Sequence, residues 1–437
     1  AIIMENVKNR LEAMGLKAAN ILLPKKGNDL SKWAVVACDQ YTSEKEYWAD
    51  AANIAGSAPS TLNLIFPECY LEDGDEDQRI SNINKQMKEY VDKDIFDSYD
   101  NCFFLVRRTC QSGTRWGLMA ALDLDCYSWE KDSKSLIRAT EGTILSRIPP
   151  RKKIRKDAPL ELPHIMVLIS DKDKSIIEPL TNKTDKLEQL YDVKLMKDGG
   201  QLSAWLVNDK TDMLAITNAF EKLYSNLDKD NPLLFAMGDG NHSFATAKSC
   251  WEDIKITLDD NERKNHPARY CLVELENIFD PGLIFEPIHR VLFNVPEEVF
   301  LSKLSKYAEN INITKVGCKN CIAKQIADQN IQRFGYCTSD KHCVVSLDNP
   351  VANIAAGTLQ KVIDDLIADG YSVDYIHGAD VTDKLGSEKG NIGLFLPAID
   401  KGTFFETIIK DGALPRKTFS MGEANEKRYY MEARKIK

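Results

Sequence analysis

The sequence has no long apolar run, no internal repeat and no low-complexity segment. A membrane-spanning helix needs about 18 consecutive apolar residues, and no segment approaches that length, so we expect no membrane span. The first 20 residues are too charged for a secretory signal and have the pattern of an amphipathic helix. The expected location is therefore the cytoplasm.

Two well-known phosphate-binding motifs are also missing. The chain has neither the glycine and lysine spacing of a Walker loop nor the glycine spacing of a Rossmann fold. The net charge of -9 argues against a surface that coats nucleic acid, so a nucleic-acid partner is not expected. Hydrophobic residues at 43% and charged residues at 28% are typical of a soluble globular protein. A length of 437 residues predicts two or three domains and leaves the oligomeric state open.

The eleven cysteines do not form an obvious disulfide framework. Without a secretory signal, we expect reduced thiols, several of them buried as small apolar groups. One cluster leaves a second interpretation open, a structural zinc site, because the Cys-x-x-Cys pair of Cys318 and Cys321 is followed by further soft ligands at Cys337 and His342-Cys343. The wider spacing of the second pair and the helix-like segment between the pairs favour unlinked thiols.

The chain is organised around the stretch LLFAMGDGNHSFATAKSCW at 233–251. Its apolar run breaks at Gly238-Asp239-Gly240 and continues into a helical pattern, which predicts a strand that enters a helix through a tight turn. We expect the helix to begin within a residue or two of His242, with Asp239, Asn241 and Ser243 as candidate caps. The start of a helix carries unpaired N–H groups and partial positive charge, so it suits a phosphate or carboxylate.

The residues of this turn have the chemistry of a binding site. Gly238 and Gly240 would let a ligand approach the backbone, and Asp239 could bind a metal or accept a proton. His242 could contact an anion or transfer a proton. The alternative is a turn whose histidine only packs against the protein.

A basic segment gives a second indication of an anion site. Five cations lie between Arg147 and Arg155 in an otherwise acidic chain, and Arg138 precedes them. Guanidinium groups fit anions of fixed geometry, so Arg138, Arg147, Arg151 and the later Arg290 are candidate phosphate contacts. A solvated loop explains the same charge run equally well.

The remaining patterns predict a mixed α/β fold. Strands are expected at 33–38, 62–66, 102–107 and 114–123, and a helix at 355–368. We place domain boundaries that give an N-terminal α/β domain at 1–135, a central domain at 136–295 and a C-terminal α/β domain at 296–437.

Several stretches resemble a large bacterial family, the domain-of-unknown-function family numbered 1015. The Gly-Asp-Gly-Asn-His turn is similar to the Asp-Gly-His-His-Arg turn of that family. Further similar stretches are DLSKWAVVACDQYTS at 29–43, IRATEGTILSRIPPR at 137–151, ELPHIMVLISD at 161–171 and IFDPGLIFEPIHRVL at 278–292. The resemblance reaches from the N-terminus to about residue 295.

The turn also resembles that of a wider superfamily of ParB proteins, sulfiredoxins and ADP-dependent free-serine kinases. That resemblance implies a ParB/sulfiredoxin-like central domain that binds nucleotide phosphates. It implies Asp239 near metal or substrate, Gly240 and Asn241 as a backbone cradle, and His242 on the phosphate. The chain departs from the pattern at Asn241, where a histidine is usual, and at Ser243, where an arginine is usual.

Two hypotheses about function follow. One is a nucleotide-dependent phosphotransferase or phosphohydrolase that uses ATP, ADP or CTP with Mg²⁺, in which Asp239 or Glu141 positions the attacking group. The other is a small-molecule-binding or regulatory module that kept the fold and lost the chemistry. The substitutions at Asn241 and Ser243 motivate the second hypothesis.

Overall fold

The computed structural model describes residues 2–437, and these divide into two compact units. Unit 1 comprises the described residues up to 283 together with the C-terminal residues 422–437, and unit 2 comprises residues 284–421. Within residues 2–437, no helix is long and apolar enough to cross a membrane.

The strands of unit 1 are β1 (Leu16–Lys17), β2 (Ala19–Pro24), β3 (Phe96–Cys110), β4 (Gly113–Asp123), β5 (Tyr127–Ser128), β6 (Ile137–Arg138), β7 (Leu160–Glu161), β8 (Met166–Ile169), β9 (Gln189–Leu195), β10 (Gly200–Val207), β11 (Phe235–Asp239) and β12 (Tyr270–Asn277). Its helices are α1 (Ile2–Glu12), α2 (Leu30–Trp33), α3 (Lys45–Ala55), α4 (Glu76–Asp92), α5 (Ile148–Arg155), α6 (Glu178–Thr181), α7 (Lys210–Ser225), α8 (Asn241–Lys255) and α9 (Asp260–Asn265).

Unit 2 contains β13 (Glu286–Phe293), β14 (Asn310–Val316), β15 (Gln332–Cys337), β16 (His342–Asp348), β17 (Ser372–His377), β18 (Ile392–Phe395) and β19 (Phe419–Ser420). Its helices are α10 (Glu297–Leu304), α11 (Lys319–Ile326), α12 (Ala355–Ala368), α13 (Ala379–Gly386) and α14 (Phe404–Asp411). The chain then returns to unit 1, where β20 (Arg434–Lys435) pairs with β7.

Unit 1 is built on an eleven-stranded sheet with the order β5-β6-β11-β8-β12-β4-β3-β10-β9, to which β1 and β2 add beside β4 and β3. The sheet is buried on both faces. Phe104 and Val106 of β3 lie in one apolar cluster, and Phe103 and Leu105 lie in the other. Because successive side chains of a strand point to opposite faces, a continuous apolar run is what such a doubly covered strand requires.

Unit 2 has a seven-stranded sheet with the order β14-β16-β15-β18-β13-β17, and β19 pairs with β13. Cys343 of β16 belongs to the apolar cluster that contains Leu359 of α12. Cys337 of β15 belongs to a second cluster, with Ile322 of α11. Cys337 and Cys343 therefore face opposite sides of the sheet, and they do not converge with Cys318 and Cys321 on a single zinc ion.

The mixed α/β class is confirmed, and so is the hairpin of β3 and β4. The predicted strand at 33–38 is wrong: Trp33 ends α2, which Asp29 caps by accepting the Ser31 N–H. The predicted strand at 62–66 is wrong as well, because the chain forms a 3₁₀ turn at Thr61–Leu64 that Ser60 caps. Both apolar runs are largely buried, and in the first of them Val36 forms a single antiparallel bridge with Tyr429.

The units also differ from the three domains expected at 1–135, 136–295 and 296–437. Strand β12 pairs with β4 on one side and β8 on the other, so one sheet joins the segments before and after the expected boundary at 135. Long-range strand pairing of this kind leaves no local signal in the sequence.

Candidate functional site

The stretch at 233–251 folds as the sequence predicts. Strand β11 ends at Asp239, and α8 begins at Asn241. Gly240 between them is the N-cap residue, with φ 82° and ψ 29° in the left-handed region. A β-carbon on Gly240 would lie 2.9 Å from Cγ1 of Ile165, so both the dihedral angles and the space require glycine.

The N-terminus of α8 has no side-chain cap. The expected caps serve other partners: Oδ1 of Asp239 accepts the N–H of Gly240 at 2.9 Å, and Ser243 Oγ bonds Nε2 of His164 at 3.0 Å. The first amides of a helix have no carbonyl partner within the helix, and they carry partial positive charge. This end of the fifteen-residue helix therefore offers a favourable place for an anion.

The loop at 139–144 lies against this turn. The Nδ2 group of Asn241 donates to the carbonyl of Glu141 and to Oγ1 of Thr143, both at 3.4 Å. Nε2 of His242 accepts the N–H of Ile144 at 3.1 Å, so this nitrogen carries no proton. Oδ1 of Asn241 is buried without a hydrogen-bond partner. Asn241 and His242 thus attach the loop to the helix start.

A lysine from the C-terminal segment reaches the same turn. Nζ of Lys427 lies 3.5 Å from Oδ2 of Asp239, and both side chains are largely buried. Arg108 holds this segment by donating to the carbonyls of Asn425 and Lys427 at 2.9 and 2.8 Å. The fold therefore supplies a cation beside the turn that sequence reasoning missed.

Within unit 1, a chain of hydrogen bonds runs from α8 to Tyr430 in the C-terminal segment and on to Cys38. His164 bonds Ser243 through Nε2 and the hydroxyl of Tyr430 through Nδ1, at 3.0 and 3.1 Å. The N–H of Cys38 donates to the same hydroxyl at 3.0 Å. The Tyr430 hydroxyl therefore connects the backbone of Cys38 to the imidazole of His164. In the sequence, the one feature that could have identified His164 is its position before the apolar run of β8.

These residues border a cavity of about 150 Å³. Its polar wall contains Ser243, His164, Glu68 and Arg151, and the rest of its lining is mostly apolar. Arg151 pairs with Glu68 and donates to the carbonyl of Arg147 at 2.8 Å. Burial raises the pKa of Glu68, although Arg151 opposes the shift. Arg151 and the first turn of α8 therefore line one pocket.

Two of the predicted cations, Arg138 and Arg290, bind other groups of the protein. Arg138 is buried in β6 and donates to the carbonyls of Ser135 and Pro232 at 2.7 and 2.8 Å. Arg290 belongs to β13 of unit 2, where it donates to the carbonyl of Ile288 and lies 5.0 Å from the centre of the Tyr375 ring. Burial lowers the pKa of Arg290 to about 10. Arg138 therefore binds backbone carbonyls of unit 1, and Arg290 belongs to the sheet of unit 2.

Unit 2 contains a different polar group. Cys337, His342 and Asp383 offer ligand atoms within 4.8 Å of one another, the one such group of three or more found within residues 2–437. Nε2 of His342 lies 2.6 Å from Oδ1 of Asp383. This group shares Cys337 and His342 with the cluster that the sequence singled out.

The comparison with solved structures finds distant likenesses. A free serine kinase in complex with AMP is 10% identical, with a TM-score of 0.37 over 73% of this chain and 92% of that chain. A conserved hypothetical protein from Pyrococcus furiosus is 11% identical, with a TM-score of 0.35 over 72% and 94%. SbnI from Staphylococcus aureus, truncated at its C-terminus, is 11% identical, with a TM-score of 0.34 over 70% and 83%.

The comparison with curated proteins finds no significant match. The comparison with family models finds one that covers residues 22–366, well over half of the chain. The matched region spans the stretches that carried the resemblance in the sequence, including the Gly-Asp-Gly-Asn-His turn. The chain therefore belongs to the family described as protein of unknown function, DUF1015.

Proposed function

We propose that unit 1 binds a phosphate-bearing small molecule, such as a nucleotide, at the turn between β11 and α8. The observation that carries the proposal is the uncapped start of α8 behind a left-handed glycine, with Lys427 at 3.5 Å from Asp239 in the same turn. Helix amides and a lysine together give an anion both hydrogen bonds and charge. An ion pair between Lys427 and Asp239 keeps the lysine in place before the ligand arrives.

The loop at 139–144 supports the same proposal. Its attachment to Asn241 and His242 fixes the backbone around the helix start, which reduces the ordering that binding would otherwise require. Arg151 lines the neighbouring cavity and gives a second cation on that side. Arg147, one turn earlier in the chain, is a further candidate contact.

Asp239 is the group best placed for catalysis in this proposal. Its carboxylate would orient a substrate hydroxyl or a water toward the phosphoryl group, and Lys427 would stabilise the charge that develops. Glu141 is the second candidate for the same role. If Mg²⁺ accompanies the nucleotide, Asp239 is an oxygen ligand of the right kind, and Mg²⁺ sites commonly combine one or two carboxylates with substrate phosphates.

Isothermal titration of the full chain with ATP, ADP and CTP, with and without Mg²⁺, tests binding. We expect heat with at least one of them, and an affinity at least about tenfold weaker in Lys427→Gln because a charged contact is lost. Lys264→Gln is the matched control, because Lys264 is an exposed lysine of unit 1 on α9. Absence of heat with all three nucleotides contradicts the proposal.

A second candidate function is a non-catalytic binding module. Three side chains after Gly240 are engaged with the protein itself: Asn241 and His242 with the loop at 139–144, and Ser243 with His164. These three side chains are therefore occupied by contacts within the protein, and Asp239 is the one acidic residue between positions 238 and 243. Binding without release of phosphate or ADP, and without a change of affinity in His242→Ala, would favour the module over the enzyme.

A further inference from the structure

Cys318 and Cys321 of unit 2 form a close pair of thiols at the start of a helix. Their sulfur atoms lie 3.3 Å apart. Cys318 is the N-cap residue of α11, and Cys321 lies in the first turn, so three residues of separation bring both side chains to the same helix end. A disulfide needs a sulfur separation of about 2.05 Å, which a small side-chain rotation can supply.

The two thiols differ in exposure and environment. Cys318 is exposed, whereas Cys321 is partly buried behind it. The backbone amide of Cys321, the Cys321 thiol and the amide of Asn320 favour the thiolate and lower the pKa of Cys318 below its usual value. An exposed thiolate at a helix N-terminus is the arrangement that makes a cysteine nucleophilic.

The other cysteines give a contrast within the same chain. Burial raises the pKa of seven of them: Cys38, Cys69, Cys102, Cys126, Cys250, Cys271 and Cys337. Their thiols stay protonated at neutral pH and react slowly with disulfides. Cys318 combines the exposure and the lowered pKa that favour reaction with an external disulfide, which none of these seven does.

We propose that Cys318 and Cys321 form a thiol–disulfide exchange site that reduces a small-molecule or peptide disulfide. The thiolate of Cys318 attacks one sulfur of the substrate, forms a mixed disulfide and releases the first substrate thiolate. Cys321 then loses its proton and attacks Sγ of Cys318, which releases the second substrate thiol. The substrate disulfide gains two electrons, and the protein pair becomes a disulfide.

The test uses the reduced full chain and glutathione disulfide, followed by alkylation of free thiols and peptide mass analysis. In the wild type we expect an internal disulfide between Cys318 and Cys321. In Cys321→Ser, the reaction stops at a glutathione adduct on Cys318, because no second thiol resolves it. In Cys318→Ser, we expect modification of Cys321 to be at least about tenfold slower than that of Cys318 in Cys321→Ser.

The pH dependence separates this site from an ordinary exposed thiol. The rate of adduct formation on Cys318 should rise with pH around a midpoint below the usual pKa of a cysteine thiol. Both substitutions lie at exposed or partly exposed positions, and an unchanged circular dichroism spectrum shows that the fold survives. Failure of the wild type to form the 318–321 disulfide overturns the proposal. Equal modification of the two single variants overturns it as well.

Discussion

At the scale of single residues, Gly240 is a position where the backbone dihedral angles and the available space both require glycine. Its φ of 82° lies in the left-handed region, and an added β-carbon would approach Ile165 to within 2.9 Å. We expect Gly240→Ala to lower the free energy of unfolding by about 1–3 kcal/mol, because both the dihedral strain and the contact must be relieved. Urea denaturation followed by circular dichroism measures the change.

Gly142 provides the matched control for that substitution. A β-carbon there meets no heavy atom within 4 Å, and its φ is outside the left-handed region. Gly142→Ala should change the free energy of unfolding by less than about 1 kcal/mol. Equal losses in the two variants would contradict the role assigned to Gly240.

At the scale of elements, β12 carries two buried glutamates on one face of the strand. Glu274 lies 3.1 Å from Nε of Arg428, and Glu276 lies 3.4 Å from Nε of Arg115. Burial works to raise the pKa of Glu274, but Arg428, the hydrogen bond with Glu276 and the charge of Arg115 together outweigh it and leave that pKa below its usual value. Burial, followed by the neighbouring carboxylate of Glu274, raises the pKa of Glu276 well above 4.5.

The pH dependence of stability follows from these directions. A raised folded-state pKa contributes stability that is complete below the unfolded-state value of 4.5 and is lost as the pH rises. The wild type should therefore lose stability relative to Glu276→Gln as the pH increases above about 4.5. Urea denaturation at a series of pH values between 4 and 8 measures this difference.

Glu274→Gln should behave in the opposite way. The lowered pKa of Glu274 contributes stability that is present above 4.5 and is lost as the pH falls. The variant should therefore be least stable relative to the wild type at neutral pH and should approach the wild type in acid. Parallel stability curves for the wild type and both variants would show that neither carboxylate titrates as assigned.

At the scale of the whole molecule, the C-terminal residues complete unit 1 after the chain has formed unit 2. Leu22 and Ala433 exchange backbone hydrogen bonds at 2.8 and 3.0 Å, and Nε1 of Trp33 donates to the carbonyl of Met431 at 2.9 Å. Arg434 pairs with Glu161 at 2.9 Å. All these partners lie in the first part of the sequence, far from the C-terminus.

Removal of residues 428–437 should accordingly loosen unit 1 and leave unit 2 folded. Unit 2 has its own apolar cluster, which draws on residues between 292 and 396. Hydrogen exchange followed by mass spectrometry should show faster exchange in β2 and α2 and unchanged protection in α12 and β16. A uniform increase of exchange in both units, or none in unit 1, would argue against this division of the fold.

Local patterns in the sequence predicted elements whose reasons lie within a few residues. The turn at Gly240, the hairpin of β3 and β4, and helix α12 depend on glycine conformation, alternation and helical spacing. The apolar runs at 33–38 and 62–66 misled the prediction, because a buried segment with a single bridge or no strand pairing has the same composition as a buried strand. Periodicity cannot separate these cases.

By itself, the sequence determined that an apolar strand enters a helix through the turn at Gly238-Asp239-Gly240, and that this anion-favouring helix begins within a residue or two of His242. Only the tertiary structure decided which groups surround that helix start: Lys427 beside Asp239, and Tyr430 behind His164 and Ser243. The reason is physical. A turn is fixed by steric limits on neighbouring residues, whereas the approach of the C-terminal segment depends on strand pairing and buried ion pairs that join distant parts of the chain.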